Sequence, residues 1–126
     1  MTPENLWTRY SAIWSLVDAD ARAVELDACL ADDATYCDPN GLIEGRAALS
    51  DYMDGFQKSA PPGAGFRIRS LLYHNDRTLA HWALVGPGES VLQTGTSFGA
   101  LSADGRLRSI SGFFYASEED QRNAKK

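Results

Sequence analysis

From Pro3 to Val17 the apolar residues Leu6, Trp7, Tyr10, Ile13, Trp14 and Val17 recur mainly at steps of three and four, which lays them on one stripe of an amphipathic helix. Thr2 or Pro3 can start it, since proline suits a first helical turn. Asp18-Ala19-Asp20 breaks the pattern and can cap a second helix over about Ala21 to Leu30, with Ala23, Val24, Leu26, Ala28, Cys29 and Leu30 on its buried side. Asp32-Asp33 ends that helix, Tyr36-Cys37 forms a short extended piece, and Pro39 holds Asp38 extended. Asn40-Gly41 is a turn, Leu42-Ile43 a brief extended segment, and Arg46 to about Lys58 a third helix with Ala48, Leu49, Tyr52, Met53 and Phe56 facing inward.

A loop rich in proline and glycine, residues 59–65, separates these helices from a different pattern. Phe66 to Tyr73, Thr78 to Val85, Val91 to Leu101 and Leu107 to Ala116 read as four strands. They are joined by turn signals at Asn75-Asp76, Gly86-Pro87-Gly88 and Ala103-Asp104-Gly105. Short connections make neighbouring strands antiparallel, so the chain is expected to be one α+β domain over residues 1–126, three helices on a curved antiparallel sheet that encloses a pocket. Strand parity puts Ala80, Trp82 and Leu84 on one face and Leu79, His81, Ala83 and Val85 on the other. Ile110, Gly112 and Phe114 likewise lie opposite Ser111, Phe113 and Tyr115. Both faces carry apolar residues and helices can cover only one, so a homodimer through the outer face is expected.

The net charge of -5 supplies no broad positive field, which argues against a nucleic-acid partner. No apolar run approaches the ~20 residues of a membrane span, and Met1 to Asn5 lacks the order of a signal peptide; a soluble, cytoplasmic protein is expected. Cys29 and Cys37 have no metal-ligand spacing and read as buried free thiols. His74 lies at a hairpin end and His81 on the face away from the pocket, so neither completes a metal site or a nucleophilic triad with Ser97. No cofactor is expected.

Asp38 carries the main chemical interest. Its neighbours Tyr36 and Cys37 are poor at compensating a buried negative charge, which suits an enclosed Asp38 to exchange a proton. Cys37, adjacent on an extended segment, points to the opposite side. The structural alternative is an Asx-type turn in which Asp38 accepts a backbone hydrogen bond near Asn40-Gly41.

The run Ala31-Asp32-Asp33-Ala34-Thr35-x-x-Asp38-Pro39-x-Gly41, with two helices before it, one after it and four long strands closing on Asp-Gly-Arg-Leu and Gly-Phe-Phe, resembles the nuclear transport factor 2-like superfamily, in particular its SnoaL-like and ketosteroid isomerase-like branches. The resemblance implies the cone-shaped fold of that superfamily and places Asp38 where the isomerases keep the carboxylate that moves a proton between substrate carbons. Ungapped counting puts Trp14 at the isomerases' tyrosine and Ser97 at their protonated aspartate, with Tyr10 one helical turn before Trp14. Trp14, Ser97 and Tyr10 are therefore the candidate donors to a substrate oxygen. The weaker donors at the first two positions argue against steroid isomerisation by the same mechanism.

By position the resemblance also implies that Tyr52, Trp82, Ile110, Gly112 and Phe114 line a pocket for a small, largely apolar molecule. That pocket offers an anion no cation unless Arg46 or Arg69 reaches in. The superfamily includes isomerases, cyclases, dehydratases and non-catalytic binding domains. Two readings stay open: a cofactor-independent acid/base enzyme using Asp38, or a ligand-binding or dimerisation module whose cone Trp14, Trp82 and Phe114 can plug. A further alternative is that the outer sheet face recruits a different protein.

Overall fold

In the computed structural model, which describes residues 1–115, 117, 119, 122 and 123, three helices pack on the inner face of a curved six-stranded sheet. Helices α1 (Pro3–Ile13) and α2 (Ala19–Cys29) lead into strands β1 (Leu30–Asp38) and β2 (Gly41–Glu44). Helix α3 (Arg46–Ser59) follows, then β3 (Gly65–His74), β4 (Arg77–Val85), β5 (Val91–Leu101) and β6 (Leu107–Phe113). The sheet order is β2-β1-β6-β5-β4-β3, antiparallel except where β1 runs parallel to β6. The expected architecture is therefore present, with β1 and β2 added to the four expected strands.

Local chemistry explains the element ends. Thr2 Oγ1 accepts from the Asn5 backbone N–H at 3.1 Å with Pro3 in the first turn of α1, and Asp18 caps α2 by accepting from the Asp20 N–H at 3.1 Å. Leu6, Trp7, Tyr10, Ile13 and Trp14 are all buried. Val17 is 78% exposed, because α1 stops at Ile13 and the stripe stops with it. Val24 and Ala23 on α2 and Ala48 on α3 also face solvent, in contrast to the expected inward positions. The last strand ends at Phe113; its expected end at Ala116 lies outside the described residues.

Strand β1 starts at Leu30, several residues before the expected extended piece. Leu30 pairs with Leu107, and Tyr36 with Ile110, so the partner that makes this segment a strand comes from the far end of the chain. Exposed Asp32 and Asp33 sit in an irregular stretch of that ladder, between Leu30 and Thr35. Arg106 secures the junction: its Nη1 donates to the carbonyls of Asp27 and Leu30, while Asp104 accepts from its Nε at 2.9 Å. Thus Asp104-Gly105-Arg106-Leu107 both makes the turn into β6, with Gly105 at φ +82°, and caps the carboxyl end of α2.

Two contacts fix α1 over the sheet. The Trp7 indole N–H donates at 2.8 Å to Thr78 Oγ1, whose hydroxyl donates onward to the Gly99 carbonyl at 2.7 Å, all in a dry interior. A Cβ on Gly99 would meet Trp7 and Leu107 at 2.7 Å each, so the glycine makes room for the indole. At the other end of α1, Gln57 on α3 donates to the carbonyls of Trp14 and Leu16, at 2.9 and 3.0 Å.

Arg22 on α2 also donates to the Leu16 carbonyl, at 3.0 Å, and reaches Ser50 Oγ and the Asp54 carboxylate on α3. Its side chain has no exposed surface although it sits on a helix face whose sequence reads as a simple apolar stripe. A guanidinium is buried tolerably only when its donors are met. The cysteines differ: Cys29 is buried, with its thiol pushed up by that burial to about 11, whereas Cys37 is half-buried with Sγ 3.5 Å from Ser111 Oγ.

Arg22 ties α1, α2 and α3 together, so Arg22→Ala is expected to remove about 3 kcal/mol of stability, at the lower end for a broken buried pair because Asp54 keeps access to water. Urea unfolding followed by circular dichroism checks this; a loss below about 1 kcal/mol would show that the clamp is dispensable.

Candidate functional site

The inner sheet face, α1 and α3 border a cavity of about 480 Å³ that opens to solvent. Its helical wall carries Trp7 and Tyr10 from α1, Trp14 at the C-cap of α1, and Tyr52 and Phe56 from α3. Strands contribute Tyr36, Phe66, Trp82 and Ser97, with Phe114 just beyond β6, and the polar residues Asn40, Asp51, Ser59 and Gln93 are also in the lining. Trp14 sits at the centre of the aromatic wall, with ring centroids 5.5 Å from Tyr36 and Phe56, 5.8 Å from Phe66 and 6.2 Å from Tyr52. Trp14, Trp82 and Phe114 thus wall the space and do not fill it.

Asp38, the last residue of β1, borders this cavity and is half-buried. Its carboxylate accepts three hydrogen bonds. Tyr36 donates its hydroxyl to Oδ2 at 2.6 Å; Tyr52 donates its hydroxyl to Oδ1 at 2.7 Å, and the Asn40 backbone N–H donates to Oδ1 at 2.8 Å. The Asx-type turn is present, and the same residue also borders the cavity. The view of Tyr36 as a poor partner is corrected: two residues apart on a strand, Tyr36 and Asp38 share a face, and the phenol reaches the carboxylate.

Both phenols are held in their protonated form. Burial raises Tyr36 far above the ordinary tyrosine range, with the neighbouring Tyr10 and the Asp38 carboxylate adding to it. Tyr52 is raised by burial first, then by its hydrogen bond to Asp38 and that charge. They therefore act as donors throughout the physiological pH range.

A carboxylate has about four lone-pair sites; among the described residues three are occupied, leaving one on Oδ2. Gly112 explains how a ligand could come near it. Strand β6 lies between β1 and β5, and a Cβ on Gly112 would contact both Asp38 Cβ and Ser97 Oγ at 3.5 Å. The absent side chain leaves the space between those two residues open.

The remaining polar groups differ in availability. Ser97 Oγ accepts from the Trp82 indole N–H at 3.0 Å and keeps its own proton to donate. Gly95 lets that indole lie flat on β5, since a Cβ there would fall 2.2 Å from it. Tyr10 is 4% exposed, and its hydroxyl has no hydrogen-bond partner among the described residues. Burial raises its pKa strongly; the nearby Trp14 side chain offsets this in part and the Asp38 charge adds to it. A buried hydroxyl left unpaired on a cavity wall is unusual in a folded protein.

The structure thus places Trp14, Asp38, Tyr10, Tyr52, Trp82, Ser97, Gly112 and Phe114 around one space. Ile110 is corrected: it is 2% exposed, pairs with Tyr36 and lies in the core below the cavity. Arg46 is paired with Asp27 and Asp32, and neither it nor Arg69 lines the cavity. His81 is exposed on the outer face beside Thr96, and His74 lies at its hairpin end. Sequence reasoning missed Phe56 and Phe66 as wall residues and Asp51 and Gln93 as lining. For Phe56 the signal was available, because it lies four residues after Tyr52 on the same helix face.

Among the described residues no group of His, Cys, Asp and Glu is placed to hold a metal ion, and no helix is long and apolar enough to cross a membrane.

Comparisons with known proteins fit this geometry. The sequence matches the model of the SnoaL-like domain over residues 7–110. Among solved structures, a candidate isomerase of the SnoaL-like family from Agrobacterium tumefaciens superposes with a TM-score of 0.80 at 23% identity, covering 87% of this chain and 94% of that one. A hypothetical protein with a ketosteroid isomerase-like fold from Catenulispora acidiphila, solved in complex with trimethylamine, gives 0.71 at 16% identity, with 93% and 89% covered. A protein of unknown function from Cytophaga hutchinsonii, described as NTF2-like, gives 0.65 at 14% identity, with 100% and 96% covered. No curated protein matches. At these identities the solved structures share the fold, while the family model spans most of the sequence, from the aromatic stripe of α1 to the core of β6: the chain belongs to the SnoaL-like domain family.

Proposed function

We propose that the cavity binds a small, largely apolar molecule and that Asp38 transfers a proton to or from it, in the manner of a cofactor-independent isomerase, cyclase or dehydratase. The observation that carries this reading is the Asp38 carboxylate at the cavity wall, held by three donors yet keeping one lone-pair site on Oδ2. Its orientation is set in advance by Tyr36 and Tyr52, so little freedom is lost when a substrate arrives.

In this reading Asp38 accepts a proton from a carbon next to a carbonyl, and the oxygen that gains charge is met by Tyr10 or Ser97. Tyr10 has no hydrogen-bond partner among the described residues, and its buried hydroxyl would have to turn into the cavity to donate. A donor aimed at a developing oxyanion in a dry site is worth more than the same donor in water. The protonated Asp38 then returns the proton at a second carbon or to a leaving group. Trp14, which takes the isomerase tyrosine position, supports the wall through its ring contacts.

The alternative is a cavity that holds a ligand without chemistry. We also propose that the chain forms a homodimer through the outer sheet face, where Leu72 and Phe113 are 63% and 65% exposed and Leu79 and Phe98 are half-buried on the same side. Light scattering after size exclusion should give twice the 13.7 kDa chain mass. A monomer at high protein concentration would end this proposal, and a heterologous partner would then be sought for that face.

Proton transfer can be followed without knowing the substrate, by incubating the protein with a panel of small ketones in deuterated water and reading hydrogen exchange at the carbon by NMR. Asp38→Asn is expected to lower any exchange about 100-fold or more, the scale of a lost general base. Exchange that survives in this variant removes Asp38 from the mechanism, and no exchange with any ketone favours the non-catalytic alternative.

Tyr10→Phe and Tyr36→Phe should separate catalysis from stability. Tyr10→Phe is expected to slow exchange about tenfold or more with stability unchanged or slightly raised, because the lost hydroxyl has no partner. Tyr36→Phe removes a donor to a carboxylate and is expected to cost about 2 kcal/mol. Equal effects of the two on stability, measured by denaturant unfolding, would contradict the assignment of Tyr10.

A further inference from the structure

The cavity lining is uneven in charge as well as in polarity. Among the described residues, nine of the eighteen that line the cavity are aromatic, two are the carboxylates Asp38 and Asp51, and none is Lys, Arg or His. The arginines that come close in sequence are engaged elsewhere, Arg46 with Asp27 and Asp32 and Arg67 with Glu89. Among the described residues, an anionic ligand would therefore meet like charge with no basic side chain in the lining to offset it.

We propose that the ligand is an organic cation, an apolar and flat molecule carrying a protonated or quaternary amine. This rests on the reading of the cavity as a ligand site and names the class it takes. Three features favour a cation over a neutral molecule of the same shape.

First, a ligand that fills the cavity expels the water that hydrates the free lone-pair site of Asp38. A positive charge nearby offsets that loss and a neutral hydrocarbon does not. Second, the wall is built of indole, phenol and phenyl rings, whose faces carry partial negative charge and attract an ammonium group within about 6 Å. Third, the polar atoms in the wall are oxygens. Ser97 Oγ, on the lining, presents its oxygen to a positive charge, while Tyr10 Oη is buried. Asp51, on the exposed side of α3, adds a second negative charge to the lining.

All three tryptophans of the chain, Trp7, Trp14 and Trp82, line the cavity, so intrinsic fluorescence reports its occupancy directly. The test compares two molecules of one shape, 3-hydroxyphenyltrimethylammonium and 3-tert-butylphenol, titrated into the full chain at constant ionic strength with excitation at the red edge of the indole band. Saturable binding of the cation about tenfold or more tighter than its neutral twin is expected, despite the greater hydrophobic drive of the twin. Asp38→Asn should shrink that preference several-fold, and Asp51→Asn, at an exposed helix position where folding is not at risk, should shrink it by a smaller factor.

If the neutral twin binds as tightly as the cation or more so, the cation inference falls and the ligand-site reading stands. If neither molecule binds, both fall. A preference for the cation that is unchanged in Asp51→Asn and in a folded Asp38→Asn would overturn the assignment of these carboxylates as its source.

Discussion

A carboxylate on the wall of an aromatic cavity has to be met by donors, and most of what positions the site follows from that constraint. Asp38 cannot draw them from its own strand neighbours on the other face, so they come from one residue on its own face, from the turn that follows it and from α3. Tyr36, Asn40 and Tyr52 thereby bind the end of β1, the β1–β2 turn and a helix into one unit. The two tyrosines remain protonated for the same reason that they are needed: burial and the adjacent negative charge both oppose a phenolate.

The cavity exists because large residues on the helices face small ones on the sheet. Ala80, Ser97 and Gly112 form one row across the inner face, and Gly95 and Gly99 on β5 accept the rings of Trp82 and Trp7. Had that row carried branched aliphatic residues, the aromatic stripe of α1 would pack against them as an ordinary core. The polar anchors sit around the edge of this space. Gln57 and Arg22 tie down the carbonyls at the end of α1, and Trp7 is pinned through Thr78, so the aromatic wall is held from both ends of the helix. Rigid support of that kind lets a cavity of about 480 Å³ persist in an interior that otherwise closes on itself.

The acid/base chemistry and the cation recognition proposed for this space would draw on one property, the negative charge of a half-buried carboxylate at the cavity wall. The anchoring phenols fix where that charge sits. Among the described residues no basic side chain lines the cavity to neutralise it. The partnerless hydroxyl of Tyr10 belongs to the same logic, since a buried polar atom without a partner gains most from whatever enters.

The local pattern alone determined the three helices, the four long strands, the capping at Thr2 and Asp18 and the inward face of α1, because each depends on side-chain periodicity or on a turn residue within a few positions. The segment around Asp38 was legible both as a turn and as a cavity residue. Three things were decided only in tertiary structure. The early start of β1 needed Leu107, the burial of Arg22 needed Ser50 and Asp54 on another helix, and the hold on Asp38 needed Tyr52 across the cavity. Ile110 shows the converse: parity placed it correctly on the inner face, but only its pairing with Tyr36 decided that it lies in the core and not on the cavity wall. A sequence states which way a side chain points, whereas what it meets there depends on partners brought from distant parts of the chain.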